Sequence, residues 1–432
     1  MTPSRKTLVA ALAAASFLSA ARPAGATDVY IGVAGQAGGA PQWTLGLAPF
    51  TAERGGAEVQ GLGARLRAVV RDDLMTSRYF KTMDPPPDAD PGDAAAWKRA
   101  GASFFLAARV SQEAGLLSLT IQLKDVGSGE AAMARYYRRD SRYWRSLAHR
   151  LSDDVVKQLT GKPGIAHTQL AFVNDQTGAK ELYIADYDGD GLLRVTTDKS
   201  IALLPRWSPD ARRLVYTSYR RGNPDLMELN LEKGGVRVLS GRQGLNLPGG
   251  FSPDGKLLVL TMSQGKNPNI YVMDQEDLSV RGLTTHFGVD SSPTFSPDGN
   301  QVAFASDRSG NPQIHVLDLA TGRARKLTSL NWCDSPAWSP TGEWIVFAGR
   351  ANNKDPMDLF IVDVTGAHVR QLTHGEGSNE DPGWSPDGRF IVFTSTRGGK
   401  RQRRLYVMDA DGSAPRAVAD IPGNTFTPAW SP

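Results

Sequence analysis

An aromatic residue followed directly by Ser and Pro recurs six times in this chain, at Trp207, Phe251, Phe295, Trp338, Trp384 and Trp430. The steps between copies are 44, 44, 43, 46 and 46 residues. Self-similarity at a period of roughly 20–50 residues marks a repeat architecture. Each copy opens a longer unit. After Phe295 come a turn at 296–299, an alternating strand at 301–305, a polar loop at 306–312, a strand at 313–319, a turn at Thr321 and Gly322, and a closing strand up to Thr328. With the strand that ends in the aromatic, that makes four short strands per unit and no helical period between them.

The turn chemistry accounts for the constant residues. Pro at the second turn position presets φ, Asp tolerates the bridge region, and Gly takes the left-handed conformation from which the next strand starts. Ala211 stands where unit two should have Gly, and Thr341 where unit five should have Asp, so these two turns are expected to be strained or mobile. A second marker keeps the same register: an Arg begins the last strand of every unit, at Arg194, Arg237, Arg281, Arg325, Arg370 and Arg416. Four-stranded units of this length cannot bury both faces alone, which points to the blades of a six-bladed β-propeller. The first unit lacks an aromatic-Ser-Pro strand ahead of it, and the last triplet has nothing after it. The residues near 426–430 are therefore expected to supply the missing inner strand of blade one, so that the C-terminal strand closes the ring.

The amino terminus reads as a secretory signal peptide over 1–26. Arg5 and Lys6 precede an apolar run at 8–21, and Ala24, Gly25 and Ala26 offer a small-residue cleavage site. The run is short and Ala-rich for a transmembrane anchor, the competing reading. Cleavage would remove Arg5, Lys6 and Arg22 from 49 bases against 45 acids, leaving 46 against 45. The basic balance thus resides in the signal segment and gives no argument for nucleic acid. Cys333 is the only cysteine; it excludes an intramolecular disulfide and reads as a small buried side chain.

Residues 27–43 read as a flexible arm and 44–163 as an α/β domain ahead of a propeller at 164–432. Strands are expected at 29–33, 44–49, 104–110, 116–126 and 131–138. Helices are expected at 61–77, where Leu62, Leu66, Val69, Val70 and Leu74 share one side, around Trp97, and at 142–159. A chain of this length supports two cores.

The signal segment, the stretch from Asp73 and Leu74 to Phe80, the stretch from Asp153, Asp154 and Val155 to Gly161, and six units with Trp-Ser-Pro turns ending at Trp430 to Pro432 together resemble the TolB family of the Tol-Pal system. The resemblance runs from end to end. It implies a non-enzymatic periplasmic binding protein, monomeric and without a cofactor. Such a protein links the outer-membrane lipoprotein Pal, seated on the propeller, to TolA, reached through the start of the mature chain, and so supports membrane integrity and constriction during division. It would be peripheral to the outer membrane through Pal.

Propeller geometry gathers the inter-blade loops at one mouth, together with the loops between second and third strands. That mouth carries Asn246, Asp290, Ser291, Asn331, Asp334, Asn379, Glu380, Asp381 and Asn424, flanked by Arg220, Arg221, Arg308, Arg350 and Arg397. An acidic, amide-rich throat with a basic rim suits a folded partner of complementary charge, and the resemblance makes that partner Pal. The triplet turns lie at the opposite mouth. Blade three departs from its siblings in Leu247, Pro248, Gly249 and Gly250, with Pro248 one place early. The arm candidates for TolA are Asp28, Val29, Tyr30, Ile31 and Val33, which could add a strand to a partner's sheet.

Other signals are weaker. Asp186, Asp188, Asp190 and Gly191 mimic the start of a calcium loop, but Thr197 stands where a bidentate Glu is needed, so a blade turn is expected. Arg135 to Arg145 interleave bases with Tyr136, Tyr137, Tyr143 and Trp144, as nucleic-acid sites do, yet fit a strand-to-helix junction in a near-neutral chain. The run Lys400 to Arg404 reads as a solvated loop. The rival class is a periplasmic propeller hydrolase or lyase acting on peptides or oligosaccharides. No Gly-x-Ser-x-Gly elbow occurs, and of His149, His167, His286, His315, His368 and His374 only the last two are close in sequence, on either side of a strand.

Overall fold

The computed structural model describes residues 43–54, 56–87, 90–263, 267–398 and 402–432. The signal segment, the arm residues Asp28, Val29, Tyr30, Ile31 and Val33, and Lys400 and Arg401 lie outside the described residues.

The first unit is a mixed five-stranded sheet in the order β2-β1-β3-β4-β5. Strand β1 (Trp43–Arg54) runs parallel to β2 (Phe80–Met83) and to β3 (Phe104–Glu113); β4 (Leu116–Asp125) and β5 (Ala131–Asp140) continue antiparallel. Helices α1 (Gly56–Thr76) and α3 (Trp144–Thr160) bury Leu66, Val70, Leu74, Leu147, Leu151 and Val155 in one cluster with the strand residues Leu45, Leu106 and Ile121. The short α2 (Ala94–Arg99) puts Trp97 into a separate cluster, stacked on Phe105 with ring centroids 5.8 Å apart. Helix α1 starts five residues before the expected Gly61. Gly63 does not break it, because that glycine makes a close approach: a Cβ there would sit 2.4 Å from the Phe50 carbonyl oxygen. Strand β2 escaped the sequence reading since it has four residues and is defined only by its pairing with β1.

The second unit is six four-stranded antiparallel blades. In blade one the inner strand is Thr425–Trp430, paired antiparallel with Gln169–Asn174, so the ring closes as expected. Ser431 N donates to Gln169 O at 2.8 Å, Gln169 N to Ser431 Oγ at 2.9 Å, and Trp430 Nε1 to Thr168 Oγ1 at 2.7 Å.

The triplets serve two purposes. Their serines are buried turn clamps: Ser296 Oγ donates to Asp298 at 2.5 Å and accepts Gln301 N at 2.9 Å, and Ser208, Ser252 and Ser385 repeat the pattern. That bond, together with the Asn300 N–H, holds the Asp298 carboxyl below its ordinary range. Two of their tryptophans staple neighbouring blades together: Trp207 Nε1 donates to Ala429 O and Trp384 Nε1 to Ala337 O, each at 3.0 Å across a blade boundary. Ala211 is held at φ 56°, the strained conformation expected of it.

Five inner strands contain a left-handed residue just before a proline: Leu204, Ser292, Ser335, Asp381 and Thr427. This is a doubly disfavoured state, since proline also pushes its predecessor toward extended backbone. Blade three cannot adopt it because Pro248, whose φ is fixed, occupies the position. Its register shift falls instead between Pro248 and Gly250. Gly249 there lies so close to blade four that a Cβ would sit 2.1 Å from Pro293 O.

The sheet-and-helix unit docks on the triplet end of blades one and six. Asp73, 4 % exposed, accepts from His149 Nδ1 at 2.9 Å and Ser152 Oγ at 2.8 Å on α3, and from Tyr187 Oη at 2.8 Å on blade one. Arg145 binds Asp188 and, at 2.9 Å, Asp190. The calcium-like segment is thus a turn between the third and fourth strands of blade one, used for docking. On blade six, Arg389 donates to Ser77 O and lies 4.0 Å over the Tyr79 ring, and Arg78 pairs with Asp409 at 3.4 Å. Among the described residues, this unit leaves the opposite mouth, where the inner strands begin, uncovered.

Candidate open mouth of the propeller

Every inner strand starts at the open mouth, and the nine residues expected there occupy the first positions of those strands or the loop just before them. Their side chains divide into two groups. Asn246, Asp290 and Asn379 are fully buried. Asn246 Nδ2 donates to the carbonyls of Pro224, Arg242 and Gly244 at 2.7–3.1 Å while its Oδ1 accepts Ser240 Oγ. Asn379 joins Asp358, Ser395 and Arg397, and Asp290 accepts Arg308 at 2.7 Å. All three are internal ties that shape the inter-blade loops. Asn424 acts similarly, bonding Asp175 and Arg403 N, and Asn331 N donates to Arg350 O.

The remaining four, Ser291, Asp334, Glu380 and Asp381, are half-buried along the channel. Burial pushes the Asp334 carboxyl up, opposed by bonds from Ser335 N at 2.6 Å and Ser292 Oγ at 3.1 Å. Burial, and then the neighbouring Glu380, push Asp381 up to about 6. Glu380 moves the other way: burial would raise it, but a two-pronged bond from Arg403 at 2.7 and 3.0 Å and another from Ser378 leave it below its ordinary range. The channel holds a cavity of about 490 Å3, walled by the triplet aromatics and by prolines, reached by Ser291 and carrying Arg206 and Asp381 as its charged groups. Burial lowers the Arg206 guanidinium, which donates to Pro205 O and Gly249 O at 2.9 Å. No histidine lines that cavity.

The expected basic rim is committed within the protein. Arg220 pairs with Asp198 at 3.3 Å, Arg221 with Asp225 at 3.4 Å, Arg308 with Asp290 and Arg397 with Glu376 at 3.3 Å, while Arg350 lies over the Trp332 ring. What the sequence reading missed at this mouth is apolar. Phe287, between blades three and four, is 80 % exposed with His286 packed on it at 4.1 Å, and Trp332, at the start of blade five, is 36 % exposed. The available signal was an aromatic isolated in a polar inter-blade loop, next to Asn331 in one case. Arg403, read as part of a solvated loop, is instead half-buried and clamps Glu380 across the intervening strand Phe390–Ser395 of blade six.

Among the described residues, one trio has metal-compatible atoms within 4.8 Å of one another, Asp73, His149 and Asp188. It belongs to the docking interface, where Asp73 already accepts three hydrogen bonds and Asp188 is held by Arg145. His368 pairs with the turn residue Asp363 and does not line the channel cavity. No helix of the described residues is long and apolar enough to cross a membrane.

A family model for the TolB beta propeller domain matches residues 156–432, and one for the TolB amino-terminal domain matches residues 33–132. A crystal structure of TolB from Acinetobacter baumannii superposes with a TM-score of 0.78 at 28 % identity, covering 91 % of this chain and 97 % of that one. The Tol-Pal system protein TolB of Alkalilimnicola ehrlichii is 31 % identical over 51 % of this chain and 53 % of its own length. That of Desulfosudis oleivorans is 37 % identical over 35 % of this chain and 34 % of its own. The matched stretches thus span about a third to a half of those curated relatives.

Proposed function

The chain belongs to the TolB family, and from that premise we propose that it is a non-enzymatic periplasmic binding protein of the Tol-Pal system. It seats the lipoprotein Pal on the open propeller mouth and reaches TolA through the arm that includes Asp28, Val29, Tyr30, Ile31 and Val33. In that position it helps hold the outer membrane intact and draw it in at division. The observation that carries this reading is the combination at the open mouth: exposed Phe287 and Trp332 on the surface, beside a throat holding Asp334, Glu380 and Asp381. An aromatic anchor near oriented carboxylates is the composition of an interface centre, where aromatics dominate affinity and charge sets the encounter rate. Asn246, Asp290, Asn379 and Asn424 serve here by fixing the loops that present those groups, and Ser291 and Asn331 stand beside them at the mouth.

Purified Pal titrated against variants tests the reading. Phe287→Ala should weaken binding by about 30-fold or more, the loss of roughly 2 kcal/mol expected of an interface anchor, with the thermal midpoint unchanged because the ring is exposed. Glu380→Lys should slow association. Deleting 27–42 should abolish TolA capture and leave Pal binding in place. Parental affinity for Pal in both Phe287→Ala and Glu380→Lys would remove the mouth from the reading.

A further inference from the structure

Strand β5, at one edge of the mixed sheet, faces α3 across a cavity of about 310 Å3. Arg135, Tyr137 and Arg139 alternate along the strand, and Leu147, Arg150 and Asp154 recur three and four residues apart on the helix, so both sets converge on one space. Arg138 also lines it. The charges there do not balance. Asp154, the one carboxylate, accepts the Tyr137 hydroxyl at 2.6 Å, and among the described residues no carboxylate lies within 4.0 Å of Arg135, Arg138, Arg139 or Arg150. Their neighbours on the same stretch are matched: Arg142 pairs with Asp140 at 2.9 Å and Arg145 with Asp188 and Asp190. Arg139 is also held in place, 4.7 Å over the Tyr143 ring and bonded to Ser146 Oγ at 3.3 Å.

We propose that this cavity is a binding site for the phosphate group of an anionic ligand, gripped by Arg135, Arg139 and Arg150. Guanidinium forks match phosphate oxygens two at a time, and a fork already fixed against an aromatic face loses little freedom on binding. Four cations around a concave surface with one engaged carboxylate repel one another until an anion enters. The volume suits a single phosphate ester and its nearest substituent, and the near-neutral chain argues against a polyanion spread over the whole surface. The site lies on the sheet-and-helix unit, away from the open mouth, and stands independently of Pal docking.

Calorimetric titration of the purified chain with inorganic phosphate, and sedimentation with phosphatidylglycerol-containing or pure phosphatidylcholine vesicles, test it. The double variant Arg135→Gln, Arg150→Gln replaces two exposed side chains, so folding is not at risk; Arg323→Gln on an exposed propeller turn is the charge control. Phosphate binding should fall roughly tenfold or more in the double variant, stay at the parental level in the control, and weaken with added salt. Sedimentation with the anionic vesicles that inorganic phosphate reverses assigns a lipid headgroup; phosphate binding without sedimentation assigns a soluble phosphate ester. Equal binding by parent and double variant, or no binding in either arm, overturns the proposal.

Discussion

Removing residues 425–432 should abolish the cooperative unfolding of the propeller. Trp430 is 8 % exposed and lies in a cluster with Leu170, Phe172 and Phe390; a buried Trp reduced to Ala costs about 3–5 kcal/mol. The deletion also takes Ala429 O from the buried Trp207 indole N–H, and an orphaned buried donor costs about 1–3 kcal/mol. Together these reach about 4–8 kcal/mol before the ladder to Gln169–Asn174 is counted, against a net domain stability of about 5–15 kcal/mol. Trp430→Ala alone should lower the midpoint by roughly 6–20 °C, at about 2–4 °C per kcal/mol for a domain of this size. Differential scanning calorimetry, with near-ultraviolet circular dichroism following the tryptophans, reads both variants. A synthetic peptide of residues 423–432 should restore the transition in a concentration-dependent way by mass action. A truncated chain that melts within about 2 °C of the parent would refute the closure argument.

Ala211→Gly should stabilise the chain by about 0.5–1 kcal/mol, since φ 56° strains Ala and not Gly, and a lowered midpoint would contradict this. Asp381→Asn should remove a pH dependence. The folded carboxyl is raised to about 6 against about 3.9 in the unfolded chain, so the stability of its neutral form is intact below about pH 4 and lost as pH rises through about 6. The variant should match the parent at pH 4 and exceed it at pH 7 by at most about 2–3 kcal/mol, because Arg206 then loses its facing charge; a difference constant with pH would sink the assignment. Gly249→Ala should cost about 1–3 kcal/mol, measured by denaturant unfolding, because its methyl would run into the Pro293 carbonyl; a neutral result would show that blades three and four can part there.

The repeat was legible because its causes are local. Ser296, Pro297, Asp298 and Gly299 specify their turn by chemistry within five residues, and the structure uses each as that chemistry requires. Ala211 was recognisable as strained for the same reason. At the open mouth the spacing located the strand starts but not the direction of the side chains. Asn246, Asp290 and Asn379 turn inward because neighbouring loops offer carbonyls, hydroxyls and a guanidinium in the interior, which no spacing reveals. Four rim arginines, Arg220, Arg221, Arg308 and Arg397, looked free until the carboxylates beside them came into view, whereas Arg135, Arg138 and Arg139, read as part of a strand-to-helix junction, have none within 4.0 Å among the described residues.

By itself the sequence determined six blades, their turn chemistry, the closing strand and the mixed unit ahead of them, since periodicity and turn preference act over a few residues. The tertiary structure decided on which end of the propeller the sheet-and-helix unit docks. That choice rests on Asp73 meeting His149, 76 residues away, and Tyr187, 114 residues away. A buried carboxylate requires donors from both units at once, and only the folded chain brings them to it.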